Sequence, residues 1–232
     1  QDQGIQAKKV YKIFKDNTQQ MWVATDGAGA FIFNGFAFKH IRFPEIPSRV
    51  FITSIEGFNE VKYFGTEANG IIKYLGHNDY LLLTNSEGLP DNSINKILKT
   101  GDNTLWIGTD NGLSRLNTST LKFDNFSIKD GLAANNITTL SYDQNQWLWI
   151  GTYGAGISIY NRHKFLNYSE TDGLASNYIW DILQSREGTT YLATENGLTV
   201  YENKNFRSYY KSDGLPANKI WSLAQDMWGN IW

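Results

Sequence analysis

The sequence predicts an all-β protein built from repeated four-stranded units, and three observations carry that expectation. A segment returns every 41 to 43 residues, clearest as Leu105-Trp106-Ile107-Gly108-Thr109 and Leu148-Trp149-Ile150-Gly151-Thr152. It is altered at Met21-Trp22-Val23-Ala24-Thr25, Lys62-Tyr63-Phe64-Gly65-Thr66 and Thr190-Tyr191-Leu192-Ala193-Thr194, and Ile231-Trp232 opens a sixth copy. Between copies, runs rich in β-branched and aromatic residues alternate with polar or Gly-bearing turns. No window shows the 3.6-residue amphipathic period that a helical repeat needs. Four strands of about 5 to 6 residues with turns of about 4 to 5 give roughly 40 residues, which matches the period. A lone four-stranded sheet has two open edges, and packing such sheets radially protects them. The expected fold is therefore a β-propeller of four-stranded antiparallel blades, with five full repeats plus the start of a sixth.

Within each repeat the signals keep one order. Gly-Leu-x-x-Asn-x-Ile comes first, as Gly88-Leu89 with Asn92 and Ile94, Gly131-Leu132 with Asn135 and Ile137, Gly173-Leu174 with Asn177 and Ile179, and Gly214-Leu215 with Asn218 and Ile220. Its earlier counterpart is reduced to Ile46-Pro47-Ser48-Arg49-Val50. A first strand follows, such as 137–142, then a polar turn such as Gly101-Asp102-Asn103 or Asp143-Gln144-Asn145, then the Trp-Ile-Gly-Thr strand. Along that strand Trp106 and Gly108 point to one face and Ile107 and Thr109 to the other. Gly65, Gly108 and Gly151, or Ala24 and Ala193, leave room for a large ring from a neighbouring blade. The Asp110-Asn111-Gly112 and Glu195-Asn196-Gly197 turns supply the positive φ that closes the hairpin into the third strand. Large residues three apart close the unit, as Phe123 and Phe126, Phe165 and Tyr168, and Phe206 and Tyr209. Residues 1–232 thus read as one propeller or its N-terminal part, with blades at about 10–43, 50–84, 94–127, 137–169 and 179–210 and a partial blade at 220–232. A partial blade implies an edge to be met by further chain or by self-association.

The 41% hydrophobic and 15% aromatic content of the 232 residues fits a packed core rather than a disordered chain. A formal charge of -2, with no Lys/Arg run, argues against nucleic acid as a partner. Cysteine is absent, which removes disulfides and thiolate metal sites. No apolar stretch approaches the roughly 20 residues of a membrane-spanning helix. The start at Gln1, without an initiator Met or apolar leader, fits a processed secreted protein or an excised segment equally.

The ordered set of Asp-Gly-Leu, Asn-x-Ile, polar turn, Leu-Trp-Ile-Gly-Thr and Gly-Leu resembles the two-component regulator propeller repeat, over nearly the whole span from Val10 to Trp232. The first two blades depart most, with Tyr63 in place of Trp and the Gly-Leu signal lost before Val50. The resemblance implies a noncatalytic sensor segment of a hybrid two-component histidine kinase, extracytoplasmic or periplasmic, working with the rest of its parent sensor. It also implies an environmental ligand such as an oligosaccharide. An alternative is a propeller-type lyase, which would need a His and acidic cluster over the channel with a divalent cation; a third reading is a protein-interaction scaffold.

Residues that every repeat shares read as packing. His40, His77 and His163 occupy unrelated positions, and the turns at Asp102 and Asp143 lack the spacing of a calcium loop, so no metal, cofactor or catalytic residue is expected. Asp130, Asp172 and Asp213 read as turn residues. The ligand candidates are residues that break the repeat near the turns entering the first strand and joining the second to the third. Tyr153 replaces the acid found as Asp26, Glu67, Asp110 and Glu195. Tyr178 and Trp180, then Lys219 and Trp221, flank the Ile that earlier repeats flank with Ser93 and Asn95 or Asn136 and Thr138. These rings offer faces for sugar stacking, with Arg49 and Lys219 as hydrogen-bond donors to hydroxyl or acidic groups. Inter-blade packing is the competing role for the same aromatics.

Overall fold

A computed structural model describes residues 4–232 apart from 6, 45, 47, 48, 59, 77, 78 and 102. The expectations touching His77, Asp102, Pro47 and Ser48 fall outside the described residues. The chain is all-β, with the strands in five four-stranded antiparallel sheets. The first holds β1 (Val10–Lys15), β2 (Met21–Thr25), β3 (Ala30–Phe33) and β4 (Phe38–Ile41). The second holds β5 (Ile52–Phe58), β6 (Val61–Thr66), β7 (Ile71–Gly76) and β8 (Asp79–Leu83). The third is β9 (Ile94–Thr100), β10 (Thr104–Thr109), β11 (Gly112–Asn117) and β12 (Lys122–Phe126). The fourth is β13 (Ile137–Tyr142), β14 (Leu148–Thr152), β15 (Ile157–Tyr160) and β16 (Phe165–Tyr168). The fifth is β17 (Ile179–Gln184), β18 (Thr190–Thr194), β19 (Gly197–Glu202) and β20 (Asn205–Tyr209). Every sheet is a meander in which sequential strands pair.

Contacts divide the chain into two compact units, Gln1–Thr109 with Ser114–Asn125 and Asp110–Leu113 with Phe126–Trp232. In the first unit one apolar layer joins Trp22, Ala24 and Ile41 of the first sheet to Ile52, Ile55, Phe64 and Ile72 of the second. A further layer joins Tyr63 and Ile71 to Ile94, Ile97, Leu105 and Ile107. In the second unit Trp149, Ile157 and Ile159 pack on Ile179, Ile182 and Leu192. Each core is a seam between consecutive sheets, so no sheet buries its apolar face alone.

The small residue of the Trp-Ile-Gly-Thr strand makes room for isoleucine, not for the ring expected from sequence. A Cβ on Gly151 would lie 2.8 Å from Ile179 Cγ2 and 2.7 Å from Thr139 Cγ2, and one on Gly65 would lie 2.6 Å from Ile94 Cγ2. The neighbour is the Ile of Asn-x-Ile, whose branched side chain suits the start of a half-buried strand. The aromatic rings lie elsewhere, as in the 5.1 Å contact of Phe206 with Tyr168.

Gly-Leu-x-x-Asn builds a capped turn. Asn85–Glu87, Ile128–Asp130, Glu170–Asp172 and Lys211–Asp213 are single 3₁₀ turns, each ended by a glycine with φ between 106° and 116°. Asp130, Asp172 and Asp213 accept from the backbone N–H at the start of their own turn, so these turn residues act as caps. Asn92, Asn135, Asn177 and Asn218 accept from the N–H of Asn85, Ile128, Glu170 and Lys211 at 2.7 to 2.9 Å. Leu89, Leu132 and Leu174 are buried beside them.

A second device escaped the sequence reading. The indole N–H of Trp22, Trp149 and Trp232 donates to Asp16, Asp143 and Asp226, each six residues earlier, at 2.9, 3.0 and 3.0 Å. Where other repeats place Leu105 or Leu148, the second sheet has Lys62, 2% exposed, with its ammonium 3.3 Å from Asp16 Oδ2. Burial opposes ionisation of Asp16, but hydrogen bonds from Thr18, Trp22, Gln20 and Lys62 outweigh it and hold its pKa down to about 2.

Candidate functional site

The first strand of every sheet carries a β-bulge one residue after its leading apolar residue. Pairing skips Tyr11, Thr53, Asn95, Thr138 and Trp180. A bulge leaves its residue out of the ladder and re-aims the side chain. Thr53 uses this freedom to donate its hydroxyl to the carbonyl of Ile94, and Thr138 does the same to Ile179, so the bulge bonds one sheet to the next. At the fifth sheet the residue is Trp180, which packs against Trp221 at the equivalent position of the following repeat, centroids 5.1 Å apart and ring planes inclined at 41°. A ring contact has taken the place of a hydroxyl bond.

The turn from second to third strand meets the next repeat beside this bulge. Tyr153 N–H donates to the Asn136 carbonyl and Glu195 N–H to the Tyr178 carbonyl within their own repeats, while Gly154 and Gly156 donate to Asn177, and Gly197 to Asn218, of the next repeat. These bonds bring each turn residue next to the residue after the motif Asn. In one repeat the pair is polar, with Asn136 Nδ2 donating to Asp110 Oδ1 at 3.3 Å. In the next it is Tyr153 and Tyr178, edge to face at 4.9 Å, with Trp180 a further 5.9 Å from Tyr153. In the next it is Glu195 and Lys219, with Nζ 2.9 Å from Oε2.

Five of the six sequence candidates, Tyr153, Tyr178, Trp180, Lys219 and Trp221, therefore form one patch in the second unit. Tyr153 is 54% exposed, Tyr178 40% and Trp221 62%, so these rings present face area to solvent. Trp180 is half-buried beneath them, its indole N–H donating to Glu195 Oε2 at 2.9 Å. The Lys219 ammonium lies 4.0 Å from the Trp221 ring centroid and 5.2 Å from that of Trp180. Glu195 ties the patch together: its bond from Lys219 lowers its pKa against slight desolvation, and the Trp180 bond adds to the lowering. Sequence reasoning noted Glu195 only as a repeat residue; it follows the motif Thr194 as Asp110 follows Thr109, and Lys219 follows the motif Asn218 as Asn136 follows Asn135, and that shared position is the signal that could have found the pair. Arg49 belongs to the first unit, where its guanidinium lies 5.1 Å from the Phe51 ring.

The described histidines stand apart from the patch residues in their contacts. His40, in β4, stacks on Phe31 at 4.8 Å, and His163 sits in the turn between β15 and β16. Among the described residues no three His, Asp or Glu side chains converge as a metal site, and no helix is long and apolar enough to cross a membrane.

Residues 88–111 and 131–154 match the family model described as two component regulator propeller. A histidine kinase of Formosa agariphila is 31% identical over 151 residues, covering 58% of this chain and 11% of the relative. The extracellular domain of a hybrid two component system from B. thetaiotaomicron superposes with a TM-score of 0.86 at 24% identity, over all of this chain and 32% of that one. A streptogramin B lyase superposes with a TM-score of 0.77 at 18% identity, over 97% of this chain and 75% of the lyase. At such identities the superpositions establish the fold alone, and the chain spans about a tenth and a third of the first two proteins. The motif order, the blade topology and the matched segments agree: the chain has a β-propeller fold, and its residues 88–111 and 131–154 match the two component regulator propeller repeat.

Proposed function

We propose that this chain is an extracytoplasmic sensor segment of a two-component signalling protein, and that the aromatic patch around Trp180 binds its solute. The carrying observation is the break in the repeat: the position that holds an Asp110–Asn136 pair in one blade holds exposed tyrosines in the next, flanked by a tryptophan at the bulge. Repeated residues serve packing in every blade, whereas a break that leaves rings exposed gives up burial and suits recognition. The histidine kinase relative and the ectodomain likeness support the sensor role and the compartment. In this reading the segment is noncatalytic, and output lies with the parent protein.

The charge balance narrows the ligand. The expectation gave Lys219 a hydroxyl or an acidic group of the ligand as partner; its ammonium is paired with Glu195 and lies over two indoles, which favours the hydroxyl. The patch is then a near-neutral aromatic platform edged by phenol hydroxyls. It suits a neutral, hydroxyl-rich ligand such as an uncharged oligosaccharide, whose C–H faces stack on rings while its hydroxyls bond to Tyr153 and Tyr178.

Calorimetric titration with a panel of neutral and acidic oligosaccharides tests this on the full chain and on Tyr153→Ala and Trp221→Ala. Affinity for a neutral ligand should fall roughly tenfold per lost ring, with the melting temperature held because these rings are exposed. Lower melting temperature with unchanged affinity per folded molecule would assign the rings to packing and end the binding claim.

A further inference from the structure

A cavity lies in the first unit, where the chain departs furthest from the repeat. The link from Ile41 to Ile52 has the same length as that from Leu83 to Ile94, so its positions correspond one to one. In the later link Thr84 caps the 3₁₀ turn, and Asn92 accepts from Asn85 N–H at 2.9 Å. In the earlier one Arg42 stands at the Thr84 position and Val50 at the Asn92 position. Both capping groups are lost, and a cavity of about 480 Å³ opens against Gly29. Its floor is apolar, made by buried Ile41, Phe43, Ile46 and Val50. Its polar wall is Arg42 and His40, both exposed. Among the described residues Arg42 has no acidic partner, and the nearby Gly29 N–H is already spent on the Val50 carbonyl at 3.1 Å.

We propose that this cavity is a binding site for a small organic carboxylate: an apolar body on the Ile46 and Val50 floor, with its carboxylate between Arg42 and His40. The volume falls within the range of small-molecule sites, and an apolar floor with a few convergent polar groups is their usual makeup. A guanidinium accepts a planar carboxylate through two parallel hydrogen bonds, which selects a carboxylate over an alcohol of the same shape. His40 supplies the second donor. Its partial burial, and next the Arg42 charge, lower its pKa, while a hydrogen bond with the Ala28 backbone works the other way. Arg42 is the charged group acting on it among the described residues. A bound carboxylate offsets that repulsion, so binding raises the imidazole pKa and, by linkage, binding tightens as pH falls through it. This site stands independently of the aromatic patch.

The test is NMR titration of the imidazole signals of the full chain, with His40 assigned by His40→Gln, using benzoate and its uncharged isostere benzamide as probes. Saturating benzoate should raise the His40 midpoint by ~0.5 to 1 unit, which makes benzoate ~3 to 10 times tighter once His40 is protonated. Arg42→Gln should weaken benzoate by roughly tenfold and remove the midpoint shift, and Arg42→Lys should keep part of both. Arg42 is exposed, so these variants should keep the wild-type melting temperature. Benzamide binding as tightly as benzoate, a His40 midpoint unmoved by benzoate, or unchanged benzoate affinity in Arg42→Gln would each overturn the assignment.

Discussion

The hydrogen bond from the motif tryptophan to an aspartate six residues earlier occurs in three settings, and their difference predicts the outcome of one mutation series. At Trp232 the ring is 75% exposed and Asp226 is only half-buried; Asp226→Ala leaves water to take the indole N–H, and the unfolding midpoint should move least of the three. At Trp149, 1% exposed, Asp143→Ala strips the acceptor from a buried donor and from Trp147 N–H; an orphaned buried donor costs about 1 to 3 kcal/mol. At Trp22 the aspartate also faces the ammonium of Lys62, 2% exposed. Removing one partner of a buried ion pair costs about 3 to 5 kcal/mol, so Asp16→Ala should be the most damaging of the three. The other repeats name the rescue, since Leu105 and Leu148 stand where Lys62 does. Replacing a buried pair by apolar groups is often neutral or stabilising, so Lys62→Leu with Asp16→Asn should recover most of the loss. Urea unfolding followed by tryptophan fluorescence reads each change as a midpoint shift at constant slope. Equal losses in all three aspartate variants would refute the dependence on burial, and a double variant no better than Asp16→Ala would refute the ion-pair account.

Three further outcomes follow from local geometry. Gly151→Ala should destabilise by about 1 to 3 kcal/mol, because its methyl would press on Ile179 and Thr139 inside a closed seam; a neutral or stabilising result in urea unfolding would show that the seam can give way. Asp16 titrates at about 2 in the fold against 3.8 otherwise, a depressed value, so its stabilising effect is full above about pH 4 and is lost as pH falls toward 2. An acid-unfolding curve should therefore flatten in that window in the Lys62→Leu, Asp16→Asn double variant. Asn177→Ala removes the acceptor for Glu170 N–H and should cost about 0.5 to 2 kcal/mol, with Asn135→Ala close to it because the same bond recurs at Ile128; a large difference between the two in thermal unfolding would mean the caps are not equivalent.

How much of this was legible from the chain depended on whether a feature repeats. The period and the turn residues set the strand count, because each repeat presents the same apolar face and the same Gly-bearing hairpin, as at Gly112 and Gly197. The partner of the small motif residue was not legible: Gly151 in a strand says that something approaches closely, but only the packed seam shows it to be Ile179 rather than a ring. The Asp–Trp bond was written in the sequence as a constant six-residue spacing at Asp16, Asp143 and Asp226, and it passed unnoticed because Thr100, not an aspartate, stands six residues before Trp106 in the third repeat.

The site follows the opposite rule, since it is made from what does not repeat. Tyr153, Tyr178, Trp180 and Trp221 were found as departures from the pattern, and the bulge explains why they meet: it turns the residue after Ile179 out of the ladder and toward its counterpart after Ile220. The role of Lys219 could not be read the same way, because a charge is defined by its neighbours, and Glu195 comes from a different strand connection. Arg49 shows the limit of the rule. It breaks the repeat as clearly as Tyr153 does, yet it lies over Phe51 in the first unit, and the cationic group that lines a cavity there is Arg42, which occupies a cap position and drew no notice. A departure from a repeat marks where burial or a hydrogen bond has been given up, and the chemistry put in its place becomes readable only when the group across the seam is known.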